Sequence, residues 1–282
     1  MSDVTAEEPP SLPVGQSGRP AAQILEACAD EARGILLEQF GRAVVSGVKG
    51  RGNVVTETDV AIEQAVTRHL LDEFPDHAIL GEEEGSAVRS EGWMWVIDPV
   101  DGTKNFSRGI PHFCFAAALC YGNEPQLALT LQPMTGDVFM AQKGQGTSLN
   151  GRSTSVSNTT TIEDSVVGLD LGYDNARGKI QLGLGYELWP GLESLRVNGS
   201  AALGFAYVAC GRWDLYLHSN LQPWDSAGGL LLIREAGGVV SDRDGGEATL
   251  WSEGIVGGPQ AVHDEFQRRF GSHPWRGEDE EL

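Results

Sequence analysis

The reading of this chain turns on one stretch, Trp95-Val96-Ile97-Asp98-Pro99-Val100-Asp101-Gly102-Thr103-Lys104-Asn105-Phe106. The apolar residues at 94–97 predict a strand. Pro99 then blocks helix at Ile97 and Asp98 and predicts a turn that aims the carboxylates of Asp98 and Asp101 at one point. Two carboxylates so placed repel unless a cation lies between them. With no His or Cys nearby, an all-oxygen ligand set favours a hard ion, Mg²⁺ first and Mn²⁺ or Ca²⁺ behind. The Gly102-Thr103 step offers backbone N–H groups at a helix start, where a phosphate would bind. Metal-holding carboxylates followed at once by an anion nest point to phosphoryl chemistry.

Two further acidic clusters flank apolar segments. Leu80-Gly81-Glu82-Glu83-Glu84-Gly85 follows a strand, and Pro223-Trp224-Asp225-Ser226-Ala227-Gly228-Gly229 opens a helix. Alone, the first reads as a solvated turn and the second as an N-cap. Three such clusters, each at a strand end or helix start, are hard to assign to chance.

Around them the periodicity predicts helices over about 21–40 and from Thr58 or Asp59 to Pro75, with a strand at 43–48 and a loop at 49–53 between them. Strands are expected at 78–80, 94–97, 113–121, 126–131 and 138–142, separated by Gly-rich turns. After about 155 strands and helices alternate: strands at 165–171, 195–197, 215–218 and 239–241, helices at 178–189, 200–210 and 225–236, and a last strand–helix pair from Gly254. The expected class is α+β in two layered halves, 21–155 carrying the metal site and 156–272. Residues 1–20, with four of the 13 prolines, read as a disordered leader, and 273–282 as an acidic tail.

With 282 residues, 40% hydrophobic and 21% charged, the chain is neither collagen, coiled coil nor globally disordered. Twenty basic against 40 acidic residues give a net charge of −20, most of it away from the termini. So acidic a body disfavours nucleic acid and anionic membrane surfaces as partners, and an anionic substrate would need recruited cations. Cys28, Cys114, Cys120 and Cys210 show no CxxC pair and read as reduced thiols of a cytoplasmic protein. The first residues lack a signal peptide's basic start and apolar run, and the apolar runs elsewhere are too short to span a bilayer.

Residues 95–106 resemble the W-x-x-D-P-[ILV]-D-G-T-x-N-F signature of the inositol monophosphatases and their lithium-sensitive, magnesium-dependent relatives. Residues 224–229 with Glu235-Ala236-Gly237-Gly238 resemble the family's W-D-x-A-[AG] element and glycine turn, and Gly81-Glu82-Glu83 and Val55-Thr56-Glu57-Thr58-Asp59 resemble two more, in the expected order. The resemblance covers about 21–270. It implies a layered αβαβα sandwich of the inositol monophosphatase and fructose-1,6-bisphosphatase type, a homodimer, hydrolysing phosphate monoesters of small polyols or sugars with two or three Mg²⁺ ions. It further implies that Glu82, Asp98 and the Val100 carbonyl hold one ion, and that Asp98, Asp101 and Asp225 hold a second. A weaker third would lie near Glu82, with Glu83 behind it. Thr103 paired with Asp59 would activate the attacking water, with Glu82 part of the catalytic set, while the N–H groups of Gly102 and Thr103 hold the phosphate.

Gly199-Ser200-Ala201-Ala202 matches the small-residue turn whose backbone, at Gly199 and Ala201, meets the substrate hydroxyls in that family. Two positions depart from the inositol enzymes. His218 stands where they carry a polyol-binding acid, and Lys104 where they carry a small residue. Lysine there is more typical of histidinol-phosphate and adenosine-bisphosphate relatives. Both are substrate-contact candidates, and Lys49 is a basic residue expected to face the metal site. Inositol 1-phosphate leads the expected substrates, with histidinol phosphate, fructose 1,6-bisphosphate and 3′-phosphoadenosine 5′-phosphate open. A non-catalytic binding scaffold is the other class, but such a chain is expected to have lost one of Glu82, Asp98, Asp101, Thr103 or Asp225. A kinase lacks its Gly-Lys-[Ser/Thr] loop here.

Overall fold

The computed structural model describes residues 11–50, 53–85 and 92–277. Helix α1 (Ala21–Gln39) buries Ile24, Leu25, Cys28, Ala32 and Leu36 along one stripe at helical spacing. Helix α2 (Glu57–Glu73) starts in a capping box between Thr56 and Asp59 and buries Ile62, Val66 and Leu70. Between them β1 (Val45–Gly50) and β2 (Asn53–Thr56) form an antiparallel hairpin. The expected loop at 49–53 is therefore largely strand, with 51–52 outside the described residues.

A seven-stranded sheet follows in sequence order: β3 (Ala78–Gly81), β4 (Trp93–Asp101), β5 (Cys114–Tyr121), β6 (Glu124–Gln132), β7 (Asp137–Gln142), β8 (Gly146–Leu149) and β9 (Arg152–Thr154). Only β3–β4 is parallel; the other pairs are antiparallel. The short helix α3 (Thr103–Ser107) lies between β4 and β5. The second sheet has the order β11-β10-β12-β14-β13, built from β10 (Val166–Asp170), β11 (Ser194–Arg196), β12 (Leu215–His218), β13 (Val239–Asp242) and β14 (Ile255–Gly258). Helices α4 (Asn175–Leu188), α5 (Ala201–Ala209), α6 (Pro223–Glu235) and α7 (Gln260–Phe270) connect or follow these strands.

Strand alternation sets the layers. In β4, Trp95 and Ile97 face the core shared with α1 and α2, whereas Met94 and Val96 face α5 and α6. In β12, Tyr216 joins that middle core, and Leu215 and Leu217 face the outer core with Leu184 of α4 and Phe266 of α7. The result is an αβαβα sandwich, and β4, covered on both faces, is almost wholly buried.

Two compositional expectations need correction. Of the proposed disordered leader, residues 1–10 lie outside the described residues, but 11–20 form an ordered strap on α2. The Gln16 N–H donates to Glu73 O at 3.0 Å, the Ser17 N–H to Glu73 Oε2 at 2.9 Å, and Arg19 pairs with Glu73 Oε1 at 2.7 Å. The tail also starts later than 273. A 3₁₀ turn, Pro274–Arg276, buries Trp275 against Phe266, and 278–282 lie outside the described residues. Among the described residues no helix is long and apolar enough to cross a membrane.

Candidate active site

Residues three apart on a regular strand point to opposite faces, so Asp98 and Asp101 could not cooperate on a straight β4. The register against β5 shows how they do: Asp98 pairs with Ala116 and Asp101 with Cys114, one extra residue on the β4 side. Strand β4 thus runs on to Asp101 through a bulge, where the sequence predicts a turn after 97. Pro99, which has no N–H to give a ladder, sits inside the bulge. The Val100 N–H bends back to Asp98 Oδ1 at 3.0 Å.

Asp225 reaches the same point from α6, where its carboxylate accepts the Gln222 N–H at 2.7 Å in a capping box. Carboxylate oxygens of Asp98, Asp101 and Asp225 all lie within 4.8 Å of one another. Burial, then mutual repulsion, pushes the carboxyls of Asp98 and Asp225 well above the usual range. Asp101 is raised by burial too, offset by bonds from the Ser200 hydroxyl and from the N–H groups of Ala201 (3.1 Å) and Ala202 (2.8 Å). Among the described residues no basic side chain pairs with this trio. Two buried carboxylates and a half-buried third converging without a counter-cation are the donor set a hard divalent ion fits.

Glu82 stands at the cavity wall rather than inside the trio. Burial raises its carboxyl to about 7, opposed by Lys49, whose Nζ lies 3.1 Å from Glu82 Oε1 and 2.7 Å from Glu83 Oε1. Lys49 therefore faces the acidic cluster as expected. On the other side Thr103 Oγ1 lies 2.9 Å from both Asp59 Oδ1 and Val100 O. Asp59 also accepts the Thr56 N–H at 3.0 Å and the Thr56 hydroxyl, and burial raises its pKa to about 6. Gly102, at φ +93°, caps α3, and a Cβ there would stand 3.1 Å from Gly199 O, so the two glycine turns meet back to back.

Beyond the acids opens a cavity of about 780 Å³, bounded by Glu82, Asp101, Lys104, Gly199, His218 and Asp225 among others. Ala201 also lines it, at the start of α5, while Asp59, Asp98 and Thr103 lie behind its wall. The Lys104 Nζ lies 5.7 Å from the Tyr173 ring centroid. His218 is buried at the end of β12, its Nδ1 accepting the Asn220 N–H at 3.1 Å. Burial lowers its pKa to about 4, so it is neutral near pH 7.

Four residues have supporting roles that the sequence reading did not assign. Glu63, one turn after Asp59 on α2, accepts the N–H groups of Glu83 (2.8 Å) and Glu84 (2.6 Å) and shapes the acidic turn. Asp170 accepts those of Asn198 (2.9 Å) and Gly199 (2.6 Å). The Asn105 amide ties α3 to the carbonyls of His112 and Asn198, both at 2.8 Å. Ser200 bonds Asp101. Two had a local signal: Glu63 follows Asp59 at i+4, and Asp170 ends an apolar strand as Asp101 does.

Comparison with known proteins shows the family and the fold. The profile of the inositol monophosphatase family matches residues 19–273. An inositol monophosphatase from Dictyostelium discoideum is 38% identical over 76% of this chain and 82% of that protein. The Nus factor SuhB of Xylella fastidiosa is 37% identical over 82% of this chain and 84% of its own. The crystal structure of the extragenic suppressor protein suhB from Bartonella henselae superposes with a TM-score of 0.82 at 30% identity, covering 89% of this chain and 98% of that one.

Proposed function

The chain belongs to the inositol monophosphatase family, and on that premise we propose that it hydrolyses a small polyol or sugar phosphate monoester, inositol 1-phosphate being the first candidate. The observation that carries this reading is the carboxylate trio Asp98, Asp101 and Asp225, two of whose members line a cavity, beside the Thr103–Asp59 pair. In this reading Glu82, Asp98 and the Val100 carbonyl hold one Mg²⁺, Asp98, Asp101 and Asp225 a second, and Glu83 supports a weaker third. Mn²⁺ is a possible substitute. Bound Mg²⁺ would supply the positive charge that draws the phosphate in and steadies charge building on its oxygens.

The protein's own groups do the rest. The Thr103 hydroxyl orients a water and relays its proton towards Asp59, whose pKa of about 6 suits a proton acceptor near neutrality. The N–H groups at Gly102 and Thr103, free of intrahelical partners at the start of α3, grip the phosphate. Lys104 lies on the same wall. Gly199, Ala201 and His218 meet the alcohol. We place the enzyme in the cytoplasm as a homodimer. The Nus-factor name of the Xylella relative raises a binding role as the alternative. The intact set of Glu82, Asp98, Asp101, Thr103 and Asp225 favours catalysis.

Phosphate release from inositol 1-phosphate, histidinol phosphate, fructose 1,6-bisphosphate and 3′-phosphoadenosine 5′-phosphate, each with Mg²⁺ and with a chelator, tests the reading. Release from at least one that stops with chelation is expected. Full turnover in excess chelator, or none with Mg²⁺, would sink it.

A further inference from the structure

At the end of β12 the cavity wall carries one histidine, His218, beside the carboxylate of Asp170. His218 is only 6% exposed, and its Nδ1 accepts the Asn220 N–H at 3.1 Å. A ring nitrogen that accepts does not carry the proton, so the neutral imidazole is protonated on Nε2. Nε2 has no partner among the described residues, and the ring lines the cavity. Gly172, at φ +63°, makes room for it: a Cβ there would stand 3.2 Å from His218 Cε1 and from Asn220 Cβ. The ammonium of Lys104 bounds the same space beside Tyr173. Asp170, the strand neighbour of His218, is already engaged by the N–H groups of Asn198 and Gly199 and by the Tyr216 hydroxyl at 2.9 Å.

We propose that His218 sets substrate choice by donation: its Nε2–H favours phosphate monoesters whose alcohol presents a hydrogen-bond-accepting oxygen and disfavours those whose alcohol presents an ammonium group. The inference rests on the phosphatase reading for its turnover arm and stands apart from it in its binding arm. A carboxylate or sugar oxygen placed there completes the one open bond of a nine-tenths buried donor. An ammonium leaves that bond unmade.

Three probes of similar size separate the cases: glycerate 3-phosphate with a carboxylate, glycerol 1-phosphate with a hydroxyl, and ethanolamine phosphate with an ammonium. In the unaltered protein with Mg²⁺, kcat/KM for glycerate 3-phosphate should exceed that for ethanolamine phosphate by about ten- to a hundredfold, the range of a charge-assisted bond. His218→Glu, which replaces the donor with an acceptor, should reverse that order, with glycerol 1-phosphate changing least. An order untouched by His218→Glu overturns the proposal. No release by the unaltered protein from any of these probes or from the four substrates named above would instead refute the phosphatase reading. Imidazole ¹H–¹⁵N spectra of the unaltered chain then decide the inference, and do so also if His218→Glu fails to fold. An Nε2–H resonance at His218 that shifts with glycerate 3-phosphate and not with ethanolamine phosphate supports it. A ring protonated on Nδ1, or one indifferent to both probes, overturns it.

Discussion

Mg²⁺ should raise the melting temperature of this protein, and raise it more at pH 8 than at pH 5. Glu82 moves from an ordinary 4.5 to about 7 on folding, Asp59 from 3.8 to about 6, and Asp98 and Asp225 are raised further by burial and mutual repulsion. Below about pH 3 these groups are protonated in the folded and unfolded chains alike, and nothing is lost. As the pH rises from about 3 to 7 the unfolded chain ionises first. The folded chain then holds more protons, and stability falls with pH. For Glu82 alone the distance from 4.5 to about 7 is worth about 3 kcal/mol, all of it lost above the folded value. A divalent cation among these carboxylates offsets that loss and must displace protons to bind at pH 5 but few at pH 8. At a hundredfold excess over its dissociation constant it adds about 2.7 kcal/mol, or about 5–10 °C for a domain of this size. Differential scanning fluorimetry at the two pH values, with Mg²⁺ or with chelator at matched ionic strength, measures it. Equal shifts at pH 5 and pH 8, or a shift that survives Asp98→Asn unchanged, would refute the reasoning.

Thr103→Ala should lower kcat by about two to four orders of magnitude with little change in KM, because the backbone N–H at 103 survives; normal kcat with raised KM would mean that Thr103 only binds. Asp98→Asn should cost more activity than Glu83→Gln, since Asp98 lies inside the carboxylate trio and Glu83 faces Lys49, and steady-state assays across a Mg²⁺ titration compare them. Glu63→Ala leaves the N–H groups of Glu83 and Glu84 without their acceptor, and should destabilise the chain by about 1–3 kcal/mol in urea unfolding.

The parts legible in the sequence are those whose cause is local. The stripe Ile24, Leu25, Cys28, Ala32, Leu36 and the alternation along β4 need only their own neighbours to declare themselves. Asp98, Asp101 and Asp225 are visible because the first two flank a proline after an apolar run and the third opens a helix. The bulge itself was not legible, since it exists only in register with β5. The roles of Asp170 and Asn105 depend on residues up to about ninety positions away. Residues 11–20 have a loose-looking composition, yet Glu73 holds them. Trp275 is buried by α7 in the same way, a contact that the acidic tail composition conceals.

Asp101 belongs to β4 in the first sheet, yet its carboxylate is the acceptor for the opening N–H groups of α5, a hundred residues on. That helix belongs to the middle core shared by both sheets. A gene cut in the loop after β9 would therefore yield two fragments, each owning some of the acids and neither owning the clamp that orients them. Reunited, the pieces would regain a working centre only as α5 docked beneath Asp101. The break point is a natural place for a split reporter, whose signal would register the meeting of two fused baits.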